Sequence, residues 1–174
     1  MADEPAAALL AQGEKYLDAG NWREAEAAFR RASDADPGSA AALSKLGVAL
    51  AHQRRLDEAE QAFARAVEVS PRYAPAWSNL GNVYRENGRT AQALEAYQRA
   101  VVADPDYWVA HQNLGGLYKQ LGRTSEAIAS LRKATKLSAR AAIRAPGRGG
   151  GRRLGCFGGS AALLIVLAAG ALIL

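Results

Sequence analysis

The sequence has few of the residues that most catalytic centres and metal sites need. Its 174 residues include one cysteine, Cys156, and two histidines, His52 and His111, that lie far apart. A single cysteine excludes an internal disulfide and a cysteine-based metal cluster. Neither histidine has a serine, cysteine or acid at the spacing of a catalytic triad or a metal site. We therefore predict that the chain is not an enzyme and holds no metal and no cofactor.

Most of the chain also lacks a net charge. Basic and acidic residues number 17 each from Met1 to Leu137, and the formal net charge of +5 comes from arginines beyond that point. These arginines follow the last acidic residue, Glu126. They are Arg140, Arg144, Arg148, Arg152 and Arg153. A basic excess confined to one end is weak evidence for a nucleic-acid-binding domain, so we expect no nucleic-acid partner.

Bulky core residues are scarce as well. Aromatic residues make up 7% of the chain, which has three phenylalanines and one methionine, and alanine is used heavily. This composition suits close-packed helices better than two packed sheets. The length and the 49% hydrophobic content are sufficient for one packed domain.

The same residue classes recur every 34 residues along the first two thirds of the chain. Prolines close the first three units at Pro37, Pro71 and Pro105. Small residues keep the same spacing, namely Gly13, Gly47, Gly81, Gly115, Ala25, Ala59, Ala93 and Ala127. Within a unit, the apolar residues form two runs at helical intervals. Four units locked to one period indicate a repeat solenoid.

The third unit resembles the tetratricopeptide repeat (TPR) family at every signature position. The matching residues are Trp77, Leu80, Gly81, Tyr84, Ala93, Tyr97, Ala100 and Pro105. The resemblance implies an all-α fold, a right-handed TPR solenoid of four helix-turn-helix repeats with eight helices. The repeats would span about residues 6–39, 40–73, 74–107 and 108–141, within a domain of residues 1–145.

The resemblance also implies a binding surface, because the first helix of each repeat lines a concave groove in this family. The expected peptide-binding residues are Lys45, Asn79, Asn82, Arg85, Asn113 and Lys119. Asn79 and Asn113 resemble the asparagine ladder of O-linked N-acetylglucosamine transferases, in which amides hold a peptide backbone. The alternative is a polar groove that is simply solvated.

We expect a non-enzymatic scaffold for protein–protein interaction that binds a peptide or protein partner in this groove. Two alternatives stay open at this point. One is a self-assembling structural scaffold, and therefore a homo-oligomer. The other is an accessory subunit of a larger membrane or transferase complex.

The C-terminal part has a different composition. Residues 146–153 read as a flexible linker rich in glycine and arginine, and residues 154–174 contain no charged residue. As a helix, this uncharged segment would be about 31 Å long, which is enough to cross a bilayer core. We expect a single-pass, tail-anchored membrane protein with the repeat domain in the cytoplasm, because basic residues beside a span favour that side. A segment lying on the membrane surface is the alternative.

Cys156 follows the basic linker and begins the apolar segment, which is a common context for lipidation. It is therefore a candidate lipidation site. The alternative is an unmodified, buried thiol.

Overall fold

The computed structural model describes residues 4–144, and within this range it contains eight α-helices and no strand. They are α1 (Ala6–Asp18), α2 (Trp22–Ala35), α3 (Ala40–His52), α4 (Leu56–Val69), α5 (Ala74–Glu86), α6 (Thr90–Ala103), α7 (Trp108–Gln120) and α8 (Thr124–Arg144). Consecutive pairs form four hairpins that follow the 34-residue period. The predicted all-α solenoid of four helix-turn-helix repeats is confirmed. The predicted linker and apolar segment, residues 146–153 and 154–174, lie outside the described residues.

The turn inside each hairpin needs one residue with a left-handed backbone. In three repeats this residue is Gly20, Gly88 or Gly122, with φ between 73° and 78°. The second repeat makes the same turn with Arg54, whose φ is 66°. A side chain in this region costs on the order of 1 kcal/mol. The Arg54 side chain also forms an ion pair with Glu86 of the next repeat.

The two helices of a hairpin approach each other closely at the repeated glycine. A Cβ atom on Gly81 would lie 2.6 Å from Cε1 of Tyr97, and one on Gly47 would lie 2.6 Å from Cε1 of Phe63. Both rings are fully buried. The aromatic ring therefore occupies the volume that a side chain at the glycine would need.

The first helices of the repeats lie on the inner, concave side of the solenoid. Helix α3 contacts α1 and α5, and α5 contacts α7, whereas the second helices do not contact one another within the described residues. Because the inner helices lie closer together than the outer ones, the row of hairpins curves toward them. Side chains on α1, α3, α5 and α7 consequently line the concave face.

The last helix, α8, has 21 residues and is the longest described. Ala139 stands where the earlier repeats have a proline, so the helix continues to Arg144. No repeat follows α8 in the described residues, and Leu131 is 37% exposed although the equivalent Phe29, Phe63 and Tyr97 are 0% exposed. None of the helices within residues 4–144 is long and apolar enough to cross a bilayer.

We predict that Gly81→Ala destabilises the fold by about 1–3 kcal/mol, because the new methyl group overlaps the buried Tyr97 ring. Gly116→Ala is the control, since a Cβ there would meet no atom within 4 Å. Replacing glycine in a helix interior should then stabilise the fold by up to about 1 kcal/mol. Urea unfolding of chains ending at Arg153 measures both changes. Equal effects at the two glycines would contradict the packing argument.

Candidate peptide-binding groove

The charged residues of the groove are distributed unevenly along it. Lys45 on α3 is neutralised by Glu14 on α1, with 3.0 Å between Nζ and Oε1. Arg85 on α5 is half-buried and Lys119 on α7 is exposed. Within residues 4–144, neither Arg85 nor Lys119 forms an ion pair. The groove is therefore neutral beside the second repeat and positively charged beside the third and fourth.

The three asparagines predicted to line the groove are buried. Asn79 is 1% exposed, Asn82 is 2% exposed and Asn113 is 7% exposed. The sequence predicts that these amides face a ligand, whereas in the structure very little of their surface is accessible. They form a polar layer beneath the groove, and their role in holding a peptide stays a prediction.

Two hydrogen bonds organise this polar layer. The Tyr97 hydroxyl donates to Asn82 Oδ1 at 2.7 Å, which joins the two helices of the third repeat. Asn113 Nδ2 donates to Ser78 Oγ at 3.0 Å, which joins the third repeat to the fourth. Neither Ser78 nor the Tyr97 hydroxyl is among the groove residues predicted from the sequence.

Two buried amide atoms of α5 have no protein partner. They are Oδ1 of Asn79, an acceptor, and Nδ2 of Asn82, a donor. Buried polar atoms are nearly always hydrogen-bonded, and an unpaired one costs about 1–3 kcal/mol. The layer beneath the groove thus contains one acceptor and one donor without a protein partner.

The Tyr97 hydroxyl is held in its neutral form. Burial raises the pKa of Tyr97 to about 12, although the nearby positive charge of Arg85 acts in the opposite direction. A phenol with a raised pKa stays protonated below that pH. The hydroxyl therefore remains a donor to Asn82 across the physiological range.

A signal for this hydrogen bond is present in the sequence. The third repeat has Asn82 and Tyr97 at the positions where the second repeat has Val48 and Phe63. In these two repeats the polar ring occurs with the polar inner residue, and the apolar ring with the apolar one. The first repeat departs from this pairing because it combines Glu14 with Phe29, so the signal is limited to the comparison of the second and third repeats.

Both histidines make packing contacts. The His111 ring Nε2 lies 3.0 Å from the Pro105 carbonyl oxygen. One repeat earlier, the Trp77 indole Nε1 makes the equivalent contact with the Pro71 carbonyl oxygen at 2.9 Å. The His52 ring stacks on Trp22 with centroids 4.0 Å apart, and burial lowers the pKa of His52. Within residues 4–144, no group of three histidines, cysteines or acids is arranged to hold a metal ion.

We predict that Tyr97→Phe is destabilising by about 1–3 kcal/mol, because it leaves Asn82 Oδ1 buried and unpaired. Asn82→Val should cost less, because it leaves the Tyr97 hydroxyl unpaired but removes the Nδ2 donor that already has no protein partner. The double variant recreates the Val48 and Phe63 pair of the second repeat. It should recover most of the lost stability. Urea unfolding in a double-mutant cycle measures the coupling between the two sites. If the two losses are simply additive, the hydrogen bond contributes nothing.

Comparisons with known proteins agree on the repeat. Models described as "Tetratricopeptide repeat" match residues 10–75, 62–95 and 109–140, and a model described as "TPR repeat" matches residues 81–122. A search of the curated proteins finds no match.

Solved structures of several repeat proteins are similar to this chain. A crystal structure of MamA is 30% identical, with a TM-score of 0.67, over 79% of this chain and 81% of that one. The Pseudomonas aeruginosa protein PilF is 25% identical, with a TM-score of 0.70, over 77% of this chain and 61% of that one. The first TPR of Spaghetti (RPAP3), bound to an HSP90 peptide, is 24% identical, with a TM-score of 0.62, over 67% of this chain and 93% of that one. This last likeness concerns the fold alone. The chain belongs to the tetratricopeptide repeat family.

Proposed function

We propose that this chain is a non-enzymatic adaptor whose concave groove binds a segment of a protein partner. The observation that carries the proposal is the pair of cations on successive inner helices, Arg85 and Lys119, which have no acidic partner within the described residues. Both occupy the same position of their repeats, 34 residues apart. The first two repeats have Leu17 and Ala51 at this position. Positive charge therefore accumulates in one half of the groove.

The charge distribution favours a partner segment that is acidic where it meets the third and fourth repeats. Complementary charge speeds association and disfavours partners of the wrong charge more than it raises affinity. The Glu14 and Lys45 pair neutralises the other half of the groove. We expect that half to bind the same segment through contacts that do not depend on charge.

The buried amides offer a second kind of contact. A rotation of the Asn79 amide toward the groove breaks no hydrogen bond at Oδ1, because that atom has no protein partner. One carboxamide can accept from an N–H and donate to a C=O of an extended chain. Asn113 would first have to exchange its bond to Ser78. We therefore rank Asn79 above Asn113 as a residue that holds a peptide backbone.

The test compares three tail-less baits that end at Arg153 in a pull-down from a cell lysate. The first is unaltered and the second carries Arg85→Glu with Lys119→Glu. The third carries the same charge changes on outer helices, Arg65→Glu with Lys133→Glu, as a matched control. We predict that the groove variant loses partners that the other two retain, by tenfold or more. Circular dichroism verifies that all three remain folded.

If the groove variant retains the same proteins as the unaltered bait, then Arg85 and Lys119 do not bind the partner. If both variants lose them equally, then net charge rather than the groove governs binding. Either result would refute the proposed role of the groove.

We also propose that residues 154–174 tether the repeat domain to a membrane, with the domain on the cytoplasmic side. This segment lies outside the described residues, and support comes from sequence. The segment is uncharged and long enough to cross a bilayer, and Arg148, Arg152 and Arg153 precede it. Basic residues beside a membrane also interact with anionic lipids at about 1 kcal/mol each.

Carbonate extraction of membranes at high pH tests the tether. We predict that the full chain stays in the membrane pellet, whereas a chain ending at Arg153 is found in the supernatant. Release of the full chain by carbonate would mean that the segment lies on the membrane surface. Recovery of both chains in the soluble fraction before extraction would exclude a tether.

Self-assembly is a second candidate function, favoured by the apolar surface at the last hairpin. Leu121, Ile128 and Leu131 are all exposed there, and no large hydrophobic residue is exposed before Val69 in the described range. Sedimentation of the tail-less chain at several concentrations separates the candidates. An adaptor stays monomeric, whereas a self-assembling scaffold forms larger species as its concentration rises.

A further inference from the structure

A surface distinct from the groove residues lies between α5 and α6 of the third repeat. Two cavities of about 250 and 390 Å³ adjoin there and share Trp77 and Arg99. We call this surface the flank cleft. Its walls include Pro71, Arg72, Trp77, Glu95, Arg99 and Val102. Both are open notches on the surface rather than enclosed pockets.

Three residues of the flank cleft, Trp77, Arg99 and Glu95, contact one another or the adjacent backbone. The Trp77 indole N–H donates to the Pro71 carbonyl at 2.9 Å, which sets the orientation of the ring. The Arg99 guanidinium lies 5.1 Å from the centre of that ring. The same guanidinium donates to Glu95 Oε1 from Nε at 3.0 Å and from Nη2 at 2.8 Å. A site whose side chains are already ordered loses little conformational entropy on binding.

Val102 gives the flank cleft an apolar rim where the repeat ordinarily has a charge. Its side chain is 81% exposed, the largest exposure of any large hydrophobic residue described. The other three repeats have Asp34, Glu68 and Lys136 at this position. A lone exposed apolar residue is common, but this one borders a cavity with an indole in its wall.

The first repeat provides an internal comparison. A cavity of about 200 Å³ lies there between α1 and α2, and its lining includes Tyr16 and Arg31. These residues are equivalent to Tyr84 and Arg99, which line the smaller cavity of the third repeat. Its repeat has Leu9 in place of Trp77 and Asp34 in place of Val102. A notch between the two helices is therefore present in both the first and the third repeat, whereas only the third combines it with an indole and an apolar rim.

The charges of the flank cleft indicate what it can bind. Its one acidic wall residue, Glu95, is already paired with Arg99. Arg72 is exposed and forms no ion pair within residues 4–144. The cleft thus combines apolar surface with an excess of positive charge. Tryptophan and arginine are the residues that contribute most to protein interfaces.

We propose that the flank cleft is a second protein-binding site, which binds a short segment with a bulky apolar side chain flanked by carboxylates. The apolar side chain would occupy the cavity between Trp77 and Val102. A carboxylate would pair with Arg72. Because the cleft shares no residue with the groove, the chain can hold two partner segments at once.

Trp77 can serve as the reporter for this site. Trp22→Phe with Trp108→Phe leaves Trp77 as the single tryptophan of the chain. The probes are three synthetic peptides with glycine-serine flanks. The first contains Asp-Glu-Leu-Phe-Glu-Asp, the second has its acids replaced by lysine, and the third has its Leu-Phe replaced by Ser-Ser. We expect the first to change Trp77 fluorescence and to bind at least tenfold more tightly than the others.

Substitutions then locate the binding. Val102→Asp and Arg72→Glu should each weaken binding of the acidic, apolar peptide tenfold or more. Both residues are exposed, so the fold should persist, and circular dichroism verifies it. The matched control is Lys136→Asp, which adds the same residue at the equivalent position of the fourth repeat. It should leave binding unchanged.

Two results would overturn the proposal. One is the absence of any preference for the acidic, apolar peptide. The other is binding that survives Val102→Asp and Arg72→Glu but is lost in the Arg85→Glu, Lys119→Glu variant, because that peptide would then occupy the groove. The second result would support the groove as the binding site and refute binding at the flank cleft. The experiment therefore distinguishes failure of this proposal from failure of the proposed function.

Discussion

The architecture depends on one repeated contact, in which an aromatic ring lies directly against a glycine of the facing helix. At Gly13, Gly47 and Gly81 the nearest ring atom lies no more than 2.6 Å from where a Cβ would be, so any side chain there would push the hairpin open. This contact sets the distance between the two helices of a repeat. Because the inner helices then contact one another, it also sets the curvature that forms the groove. The fourth repeat uses Leu131 against Gly115, at the exposed end of the described solenoid.

The junctions between repeats use different interactions along the chain. Glu26 of the first repeat pairs with Arg55 of the second, and Glu60 pairs with Arg89 of the third. Burial opposes ionisation of Glu26, but hydrogen bonds from Gln53, Arg30 and Arg55 hold the pKa of that carboxyl below its usual value. At the third junction the position of these acids is occupied by Leu94, which packs against an apolar cluster. The hydrogen bonds of Asn82 and Asn113 also belong to this half of the molecule. The third and fourth repeats therefore carry both the polar layer and the two groove cations that form no ion pair within residues 4–144, Arg85 and Lys119.

The fold could be predicted because the 34-residue period fixes which residues face one another, and all four units repeat the same helix-turn-helix pattern. The register also predicted that Lys45, Arg85 and Lys119 lie on inner helices. The sequence did not predict the burial of Asn79, since burial there depends on how closely neighbouring repeats pack. The register places Val102 at an exposed position, equivalent to Asp34, Glu68 and Lys136, although a valine considered alone suggests a core position. The roles of Cys156 and residues 154–174 stay predictions, since they lie outside the described residues.

The central claim is that the positive half of the concave face receives an acidic segment of a partner. Site-specific photo-cross-linking tests it most directly, with benzoylphenylalanine at Gln112, which is exposed on the inner helix α7, or at Arg132, which is exposed on the outer helix α8. Mass spectrometry of the cross-linked peptide identifies the bound segment. The account predicts cross-links from position 112 to a segment rich in aspartate and glutamate, and few from position 132. Equal cross-linking from both positions, or a bound segment without acidic residues, would contradict it.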